Sequence, residues 1–499
     1  MTGVMSARVG TWNEPEASLF VDGEWEAGAD GRTAPNLNPA ANDDVIGHFT
    51  ASGVSDLDRA ATAATAASAA WGETSPVARA RTLTAIARTI EANVDAFAYD
   101  LTREEGKTLT EAQAEVRRAV QVFDFYAGAG HRMGGRILPS ERSGFRIEDR
   151  RVPLGVVAAV TPWNFPFAIP AWKVAPALIA GNAVILKPAS QTPMSAINFV
   201  RACELAGLPR GVINLVPGPG AELGFALATH PSIAAISFTG STEVGRQLFQ
   251  TASSVFKRVQ AEMGGHNPLV ILADALVDDA VAIAINGAFM STGQKCTATR
   301  RIIVEERVYE TFLERFTAAT RDLRLGDPMD PATQIGPVIS LSQLLLDEEA
   351  VARAKAQGAT VVTGGSRLRE GPFARGWFFS PTILTDVRPH DDIAQQEAFG
   401  PIVTVFSVNS LDAAIELAND VDFGLSASIC TQGLESAERF IRASRSGVVA
   451  VNAATAGIEV QAPLHGAKRS GLGPPEQGDE AIEFFSDPKA VYIRYPGLA

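Results

Sequence analysis

The strongest constraint on the fold is an alternation of short apolar runs with helical segments, which begins near residue 152. Runs such as VPLGVVAAV, NAVILK and IAAISF are separated by segments with helical spacing, for example MSAINFVRACELAG. Strands that alternate with helices in this way predict a parallel, doubly wound sheet. A second block of the same kind, from RRIIVEE to GVVAVN, predicts a second α/β lobe.

Two other regions flank this alternation. Residues 55 to 125 carry alanine and charged residues at helical spacing, which predicts a layer of amphipathic helices. KAVYIRYPGLA, after the last predicted helix, has the pattern of a lone strand, which we expect to pair with another subunit because an unpaired edge is an aggregation hazard. A chain of 499 residues has room for roughly three domains at about 150 residues each.

The charge balance and the histidines exclude several classes of partner. The chain has 43 basic and 56 acidic residues, a net charge of -13, so it repels nucleic acid and anionic membranes. Its six histidines form no HExxH motif, and no carboxylates are grouped at metal-ligand spacing, so we expect no metal site.

Cysteine usage and the apolar segments indicate the compartment. Three cysteines without CxxC spacing predict neither a disulfide framework nor a zinc site and favour a reducing environment. The first twenty residues lack a continuous apolar stretch, and no later stretch reaches 18 apolar residues without a charge or a turn signal. We therefore expect a soluble protein of the cytoplasm.

The loops that follow the predicted strands should carry the chemistry, because open parallel sheets bind ligands beyond the carboxyl ends of their strands. Four loops stand out: TPWNFP (161 to 166), KPASQTP (187 to 193), FTGSTEVG (238 to 245) and EMGG (262 to 265).

Two of these loops suggest a dinucleotide. Small residues in FTGSTEVG would let phosphates approach backbone N–H groups at the start of a helix, although a tight turn with an N-cap is the alternative. Lys187 lies at a strand end where a nucleotide sugar would bind, and Ser190 replaces the acidic residue that often selects NAD. A solvated surface lysine is the alternative for Lys187.

Three residues are candidates for covalent chemistry. Cys296, in GQKC, is a potential nucleophile that the neighbouring Lys295 would activate if both side chains face one cavity. Asn164 is an amide donor suited to an oxyanion, or it forms a turn. Glu262 in an apolar context is a potential base, or it serves as a cap or in a salt bridge. We interpret the other two cysteines, Cys203 and Cys430, as buried apolar residues.

Together these motifs resemble the aldehyde dehydrogenase superfamily along essentially the whole chain. TPWNFP, KPAS, FTGSTEVG, EMGG, GQKC and EAFGP (397 to 401) occur in that family's order and approximate spacing. Within the family, the stretch from RVPLGVVAAV to IAGN, STGQKCTAT and NAATAGIEVQAP followed by EQG are most similar to α-ketoglutaric semialdehyde (2,5-dioxovalerate) dehydrogenases.

The resemblance assigns catalytic roles to four residues. It makes Cys296 the nucleophile that forms a thiohemiacetal and then a thioester, Asn164 an oxyanion donor, Glu262 the activator of the hydrolytic water, and Lys173 a support of the proton relay. NADP or NAD would be the cofactor, with NADP used at least as well because of Lys187 and Ser190. The cofactor-binding residues implied are Thr161, Pro162, Trp163, Lys187, Ser190, Gly220, Phe238, Gly240, Ser241, Gly245, Glu397 and Phe399.

The family also implies an architecture. A Rossmann-type cofactor domain would comprise residues 1 to 130 and 153 to 261, and an α/β catalytic domain residues 262 to 479. A small β oligomerisation arm and tail would comprise residues 131 to 152 and 480 to 499. A homodimer or homotetramer is expected.

The expected substrate is a small aldehyde, and the sequence gives opposing indications of whether this aldehyde is acidic or apolar. Succinic semialdehyde dehydrogenases have arginines where this chain has Trp172 and Met290, so the implied pocket is largely apolar, whereas Lys295 could pair with an acidic substrate. The pocket residues implied are Phe165, Trp172, Met290, Lys295, Thr297 and Leu464. We expect 2,5-dioxovalerate or a similar semialdehyde. The alternatives are a broad-range aliphatic or aromatic aldehyde dehydrogenase, a silent structural protein of the same fold, and a coenzyme-A-acylating relative, which Glu262 disfavours.

Overall fold

The computed structural model describes residues 17–496. Predictions for residues 1 to 16 and 497 to 499, at the two ends of the chain, lie outside the described residues. Fifteen α-helices lie in the described part: α1 (Val54–Glu73), α2 (Pro76–Ala92), α3 (Val94–Glu105), α4 (Leu109–Ala129), α5 (Ala168–Ala180), α6 (Pro193–Leu205), α7 (Gly220–Thr229), α8 (Thr242–Ser253), α9 (Val277–Phe289), α10 (Glu306–Arg321), α11 (Leu341–Ala356), α12 (Asp392–Gln395), α13 (Leu411–Asn419), α14 (Leu434–Ala443) and α15 (Glu480–Phe484).

The same residues contain 22 strands. They are β1 (Leu19–Val21), β2 (Glu24–Glu26), β3 (Thr33–Asn38), β4 (Ala41–Thr50), β5 (Arg136–Leu138), β6 (Phe145–Pro153), β7 (Val156–Val160), β8 (Ala183–Lys187), β9 (Ile213–Leu215), β10 (Ala235–Thr239), β11 (Arg258–Glu262), β12 (Asn267–Ile271), β13 (Thr299–Glu305), β14 (Thr360–Thr363), β15 (Thr382–Thr385), β16 (Ile402–Val408), β17 (Phe423–Gly424), β18 (Ser426–Cys430), β19 (Val448–Val451), β20 (Ala467–Lys468), β21 (Gly471–Leu472) and β22 (Ser486–Arg494).

The first large sheet has the strand order β2-β1-β9-β8-β7-β10-β11-β21. Strands β9, β8, β7, β10 and β11 are parallel, and antiparallel pairs extend the sheet at both edges. β7, β8 and β10 are buried throughout, as their continuous apolar runs predict. The chain passes from β7 outward to β9 and then returns to β10, so a crevice opens between the carboxyl ends of β7 and β10.

The second large sheet has the order β14-β15-β16-β13-β12-β18-β19. All of its pairs are parallel except β14 with β15. Two α/β lobes are therefore present, as the alternation predicted, and helices α1 to α4 form the predicted helical layer.

The arm and the tail form a sheet of their own, in the order β22-β6-β5. β22 pairs along all nine of its residues with β6 of the same chain, from Ser486 opposite Pro153 to Arg494 opposite Phe145. The tail strand therefore uses one edge within its own chain, in contrast to the expected pairing with another subunit, because the arm already offers a complementary strand. Its role in oligomerisation stays a prediction.

Two parts of the first sheet were not predicted. β1 and β2 come from the region before the helical layer, which the sequence analysis left without strands. β21 comes from within the predicted catalytic segment, 262 to 479, and pairs antiparallel with β11, so this segment returns to the first sheet. Strands of two or three residues are too short to show a periodicity, which explains why they were missed.

Candidate active site

One cavity gathers three of the four predicted loops, TPWNFP, FTGSTEVG and EMGG, but no residue of KPASQTP lines this cavity. It has a volume of about 310 Å³, and it brings together residues that follow β7, β10, β11 and α9. Its lining consists of Pro162, Trp163, Asn164, Thr239, Gly240, Ser241, Met263, Gly264, Cys296, Gln343, Glu397 and Phe399. The structure thus places the candidate nucleophile at the cavity together with six of the twelve predicted cofactor residues.

The loop before Cys296 has a strained backbone. Ser291 and Thr292 adopt left-handed conformations with φ of 56° and 53°, which cost free energy for residues with a Cβ. Gly293 continues the left-handed path with φ of 67°, and a Cβ there would lie 2.4 Å from the carbonyl oxygen of Gly400. Glu111 accepts a 2.6 Å hydrogen bond from the Ser291 N–H and helps to hold this path.

A buried guanidinium joins the nucleophile loop to the EAFGP loop. Arg300 donates to the carbonyl oxygens of both Gly293 and Gly400, and it lies 5.8 Å from the ring of Phe399. Because these two loops carry Cys296 and Glu397, Arg300 fixes their relative position.

The thiol of Cys296 is held in its protonated form. Burial, and then the carboxylates of Glu397, Glu262 and Glu476, raise its pKa to about 12, while its own backbone N–H opposes the shift. Lys295 and Cys296 interact electrostatically, but burial and the three carboxylates are the largest causes of the shift. Lys295 donates from its Nζ to the carbonyl oxygen of Asn286 on α9, at 2.9 Å, so activation of the thiolate by Lys295 stays a prediction.

Asn164 lies beside the nucleophile loop. Its Nδ2 donates to the carbonyl oxygen of Gln294 at 2.9 Å, and the side chain is buried. An amide nitrogen carries two hydrogens, so this bond orients the side chain and leaves a second N–H for a ligand. The predicted role of Asn164 as an oxyanion donor is compatible with this position.

A buried ionic cluster, which was not predicted from the sequence, holds the loop that contains Asn164 in place. Lys107 Nζ donates to Glu115 Oε2 at 2.6 Å and to the backbone carbonyl of Asn164 at 2.7 Å. Glu115 Oε1 accepts from the N–H groups of Phe167 and Ala168, at 2.9 and 3.1 Å. The cluster therefore fixes the TPWNFP loop and the start of α5 together.

Burial and neighbouring charges shift the pKa values of the ionisable groups in this cluster. Burial lowers the pKa of Lys107, but Glu105, Glu115 and Glu111 outweigh it, so the net pKa lies above the usual value. Burial raises the pKa of Glu105 to about 8. Both carboxylates lie near the Lys107 ammonium, and Glu115, at 2.6 Å, is closer than Glu105, at 3.8 Å.

Glu262 is the last residue of β11, and its carboxyl group is buried. Oε2 accepts a 3.0 Å hydrogen bond from the Gly466 N–H, and Oε1 has no hydrogen-bond partner among the described residues. Burial and the nearby Glu476 raise the pKa of Glu262 well above its usual value, against the effects of Gly466 and Lys173. A raised pKa of this kind is typical of a carboxylate that acts as a general base.

Lys173 forms a second buried ion pair. Its Nζ donates to Glu476 Oε1 and, at 3.0 Å, to Ser237 Oγ on β10. Glu476 Oε2 is buried without a partner among the described residues. Glu476 belongs to the EQG motif, which the sequence analysis used only for the resemblance, and it connects Lys173 electrostatically to Glu262.

The inner part of the cavity fits a nicotinamide ribose and ring. Trp163 and Phe399 pack edge to face with centroids 5.5 Å apart, and Glu397 Oε1 accepts a 3.3 Å hydrogen bond from the Gly265 N–H. A Cβ at Gly264 would lie 2.2 Å from Glu397 Oε2, so glycine is needed for this close approach. Burial raises the pKa of Glu397 to about 7. The buried hydroxyl groups of Thr161 and Thr239 have no hydrogen-bond partner among the described residues, as expected of groups that bind a ligand.

Of the residues predicted to hold the adenosine and the phosphates, Gly240 and Ser241 line the cavity, whereas Lys187, Ser190 and Gly220 do not. Ser241 caps α8 by accepting from the Val244 N–H, so the N–H groups of this helix face the cavity beside Gly240. Lys187 is buried, which lowers its pKa to about 8, and Gly220 at the start of α7 would place a Cβ 3.9 Å from its Nζ. Ser190 is exposed and donates a 3.2 Å hydrogen bond to the carbonyl oxygen of Gly218.

Phe238 and Gly245 support this wall instead of lining it. Phe238 is buried on β10, and a Cβ at Gly240 would lie 2.5 Å from its ring. Gly245 lets α8 approach Met263, because a Cβ there would lie 2.5 Å from the sulfur. Both residues shape the cofactor wall through packing.

Comparison with known proteins decides the family. The Aldehyde dehydrogenase family model matches residues 25–491. The chain belongs to the aldehyde dehydrogenase family. It is 41% identical over 475 residues to the alpha-ketoglutaric semialdehyde dehydrogenase of Bacillus subtilis (strain 168), covering 95% of this chain and 97% of that one. It is 40% identical over 477 residues to the alpha-ketoglutarate semialdehyde dehydrogenase of Haloferax volcanii, covering 95% and 98%.

A solved structure agrees on the fold. The crystal structure of betaine aldehyde dehydrogenase from Staphylococcus aureus in complex with NAD+ superposes with a TM-score of 0.93 at 33% identity, covering 96% of this chain and 94% of that one. The predicted resemblance and the aldehyde dehydrogenase fold are confirmed. The chain is an oxidoreductase of a family that uses NAD(P).

The implied substrate pocket of this aldehyde dehydrogenase adjoins the nucleophile loop. Phe165 lies over the Lys107 ammonium at 4.1 Å from ring centroid to Nζ, and Thr297 receives a hydrogen bond on its carbonyl from Thr455. Leu464 is buried and exchanges two backbone hydrogen bonds with Glu476. Trp172 Nε1 is buried without a partner among the described residues. Met290, half-buried, begins the strained loop.

The remaining expectations concern cysteines, metals and membranes. Cys203 and Cys430 are buried, as predicted, and all three cysteines are free. Residues 17–496 contain no group of three or more His, Cys, Asp or Glu side chains that could hold a metal ion. No helix within this range is long and apolar enough to cross a membrane.

Proposed function

We propose that this aldehyde dehydrogenase oxidises an acidic semialdehyde, such as 2,5-dioxovalerate, through a thioester on Cys296. The observation that carries the mechanism is the meeting of Cys296 and Asn164 at one cavity, with the carboxyl group of Glu262 beside it. The two semialdehyde dehydrogenases at about 40% identity support the substrate class.

The nucleophile starts as a thiol and must lose its proton before it attacks. Attack of the sulfur on the aldehyde carbon forms a C–S bond and moves an electron pair to the carbonyl oxygen. The second N–H of Asn164 and the backbone N–H of Cys296 would stabilise this oxyanion. When bound, NAD(P)+ supplies the hydride acceptor that makes this an oxidation.

Hydrolysis releases the acid. Glu262 would remove a proton from a water molecule, which attacks the thioester carbon while the C–S bond breaks and its electron pair returns to sulfur. Lys173 would hold Glu476 in place, and Glu476 in turn keeps the pKa of Glu262 high.

We propose that the cation that pairs with an acidic substrate is Arg118 on α4 in place of the predicted Lys295. Residues 111, 115 and 118 share one helix face, since they are four and three residues apart. Glu111 binds the nucleophile loop, and Glu115 binds the start of α5, which carries Trp172. Arg118 continues this face, and its Nη2 donates to the carbonyl of Ile458 in the segment that leads to Leu464.

Arg118 therefore supplies the compensating charge that the missing arginines require. Its guanidinium has five N–H groups, and bonds within the described residues occupy only two of them, with Ile458 and Gln121. A bidentate pair with a carboxylate matches this geometry better than the single ammonium of Lys295, which is buried against Asn286.

A substrate comparison tests this assignment. Arg118→Met should raise KM for succinic semialdehyde or 2,5-dioxovalerate by roughly tenfold, about 1.4 kcal/mol, with little change for butanal or pentanal. Arg117→Met is the matched control, because Arg117 is adjacent on α4 but exposed on another face. Equal losses for both classes would contradict the role of Arg118.

The alternative is a broad-range enzyme for aliphatic or aromatic aldehydes. The apolar side chains of Phe165, Met290 and Leu464 favour it. If the unmodified enzyme oxidises hexanal or benzaldehyde with higher kcat/KM than every semialdehyde tested, the acidic substrate class is wrong.

Three further assignments complete the proposal. The enzyme uses NADP at least as well as NAD, because Lys187 is positive and Ser190 is neutral. It assembles as a homodimer or homotetramer through the sheet β22-β6-β5, whose outer residue Ile137 is 74% exposed. It works in the cytoplasm, where three free cysteines stay reduced.

A further inference from the structure

One histidine faces the proposed base. His465 Nδ1 lies 3.9 Å from Glu262 Oε1, and neither atom has a hydrogen-bond partner among the described residues. The Glu262 side chain is 4% exposed, whereas that of His465 is 40% exposed. The imidazole thus stands between a buried carboxyl group and the solvent.

The reaction requires a path for a proton at this point. Each hydrolysis leaves a proton on Glu262, which must be lost before the next water is activated. Glu262 Oε2 is occupied by the Gly466 N–H. The nearest charged groups are Glu476 and Lys173, which are bound to each other, and an ammonium is not a proton acceptor. His465 Nδ1, which has no hydrogen-bond partner among the described residues, lies 3.9 Å from the free oxygen.

We propose that His465 carries the proton from Glu262 to the solvent during thioester hydrolysis. Glu262 gives to Nδ1 the proton that it took from water, and the imidazolium releases the proton on Nε2 to the solvent. Proton exchange of the ring with water then restores the Nε2–H tautomer before the next turnover. The balance is one proton per hydrolysis, with no change in oxidation state. This role rests on the proposed thioester mechanism.

The geometry needs only a small adjustment. A direct transfer requires the two atoms to approach to about 3 Å, or one water between them. The half-exposed ring can rotate about its side-chain torsions, since no hydrogen bond within the described residues holds Nδ1. The raised pKa of Glu262 is consistent with a group that releases its proton slowly without help.

Kinetics of His465→Gln and His465→Ala test the proposal. The first turnover, measured as a burst of reduced nicotinamide, should keep its amplitude, whereas steady-state turnover should fall roughly tenfold with a larger solvent isotope effect. Imidazole at millimolar concentration should restore turnover of His465→Ala. Glu262→Gln provides the stalled reference, and His390→Ala, in an 85% exposed position, is the matched control.

Two outcomes would overturn the proposal: unchanged turnover in both variants, or reduced turnover that imidazole does not restore. His465→Gln keeps most of the side-chain volume and serves if the alanine variant does not fold. The experiments also distinguish a failure of the relay from a failure of the proposed function. If the unmodified enzyme forms no acyl-enzyme on Cys296, the proposed function fails; if it does and turnover is independent of His465, only the relay fails.

Discussion

The two halves of the predicted cofactor site, an inner half around Cys296 and an outer half around Ser190, are built in different ways. Around Cys296, buried charges hold each loop: Lys107 with Glu115, Arg300, and Lys173 with Glu476. At the adenosine end, Ser190 is exposed and makes one hydrogen bond to a neighbouring loop. The proposed catalytic residues are held by several partners, whereas Ser190, which we propose as a determinant of cofactor choice, makes one hydrogen bond within the described residues.

This difference predicts how each half tolerates substitution. Removal of one member of a buried ion pair leaves an uncompensated charge and lowers the stability of the fold. Substitutions in the inner half should therefore affect both stability and turnover. A change at an exposed site with one contact costs little stability, so the outer half can change its preference while the fold is kept. Three substitutions test this contrast.

The largest effect is expected at the nucleophile. Cys296→Ala removes the sulfur that forms the covalent intermediate, so turnover should fall by roughly a thousandfold or more while cofactor still binds. Steady-state rates and cofactor titration by fluorescence measure the two. Cys430→Ala is the control, since Cys430 is buried at the end of β18 and makes no proposed contact with substrate. Near-normal turnover of Cys296→Ala would refute the covalent mechanism.

An intermediate effect is expected below the Asn164 loop. Lys107→Met leaves Glu115 buried without its ammonium, which should lower the free energy of unfolding by about 3 to 5 kcal/mol and also reduce kcat, since Asn164 loses a support. Denaturant unfolding and steady-state kinetics are the measurements.

Lys355→Met on the exposed side of α11 is the control for this substitution, and it should change stability by no more than about 0.5 kcal/mol. A Lys107→Met variant with the stability and kcat of the unmodified enzyme would show that the cluster does not support the site.

The sequence predicted the candidate catalytic residues better than the buried charged residues that hold their loops in place. Cys296, Glu262 and Asn164 lie in short motifs whose residue types carry a specific meaning, and the structure gathers the first and third at one cavity with the second beside it. Lys107 and Glu115 lie in a region interpreted only as helical. A signal was present, because Glu115 falls between Ala112, Val116 and Ala119 on the apolar face of α4. A charge at that position predicts a buried partner but does not name it.

Side-chain direction is the part that the sequence could not supply. Lys295 is adjacent to Cys296 in the chain, yet its ammonium turns to Asn286. His465 is more than 200 positions from Glu262, yet its ring faces the carboxyl group. Neighbours in sequence point to different sides of a strained loop, whereas contacts between distant segments depend on how the two sheets pack.

The smallest effect, and the sharpest on specificity, is expected at Ser190. Ser190→Glu adds a carboxylate that repels the 2′-phosphate of NADP, so the ratio of kcat/KM for NADP to that for NAD should fall by about tenfold with no loss of stability. Ser190→Gln has the same size without the charge and should leave the ratio nearly unchanged. The preference should also decline as pH rises through about 8, because Lys187, whose pKa burial has lowered, loses its positive charge. An equal ratio for Ser190→Glu and Ser190→Gln would mean that groups other than Ser190 discriminate between the cofactors, and the contrast between the two halves would then fail at its outer end.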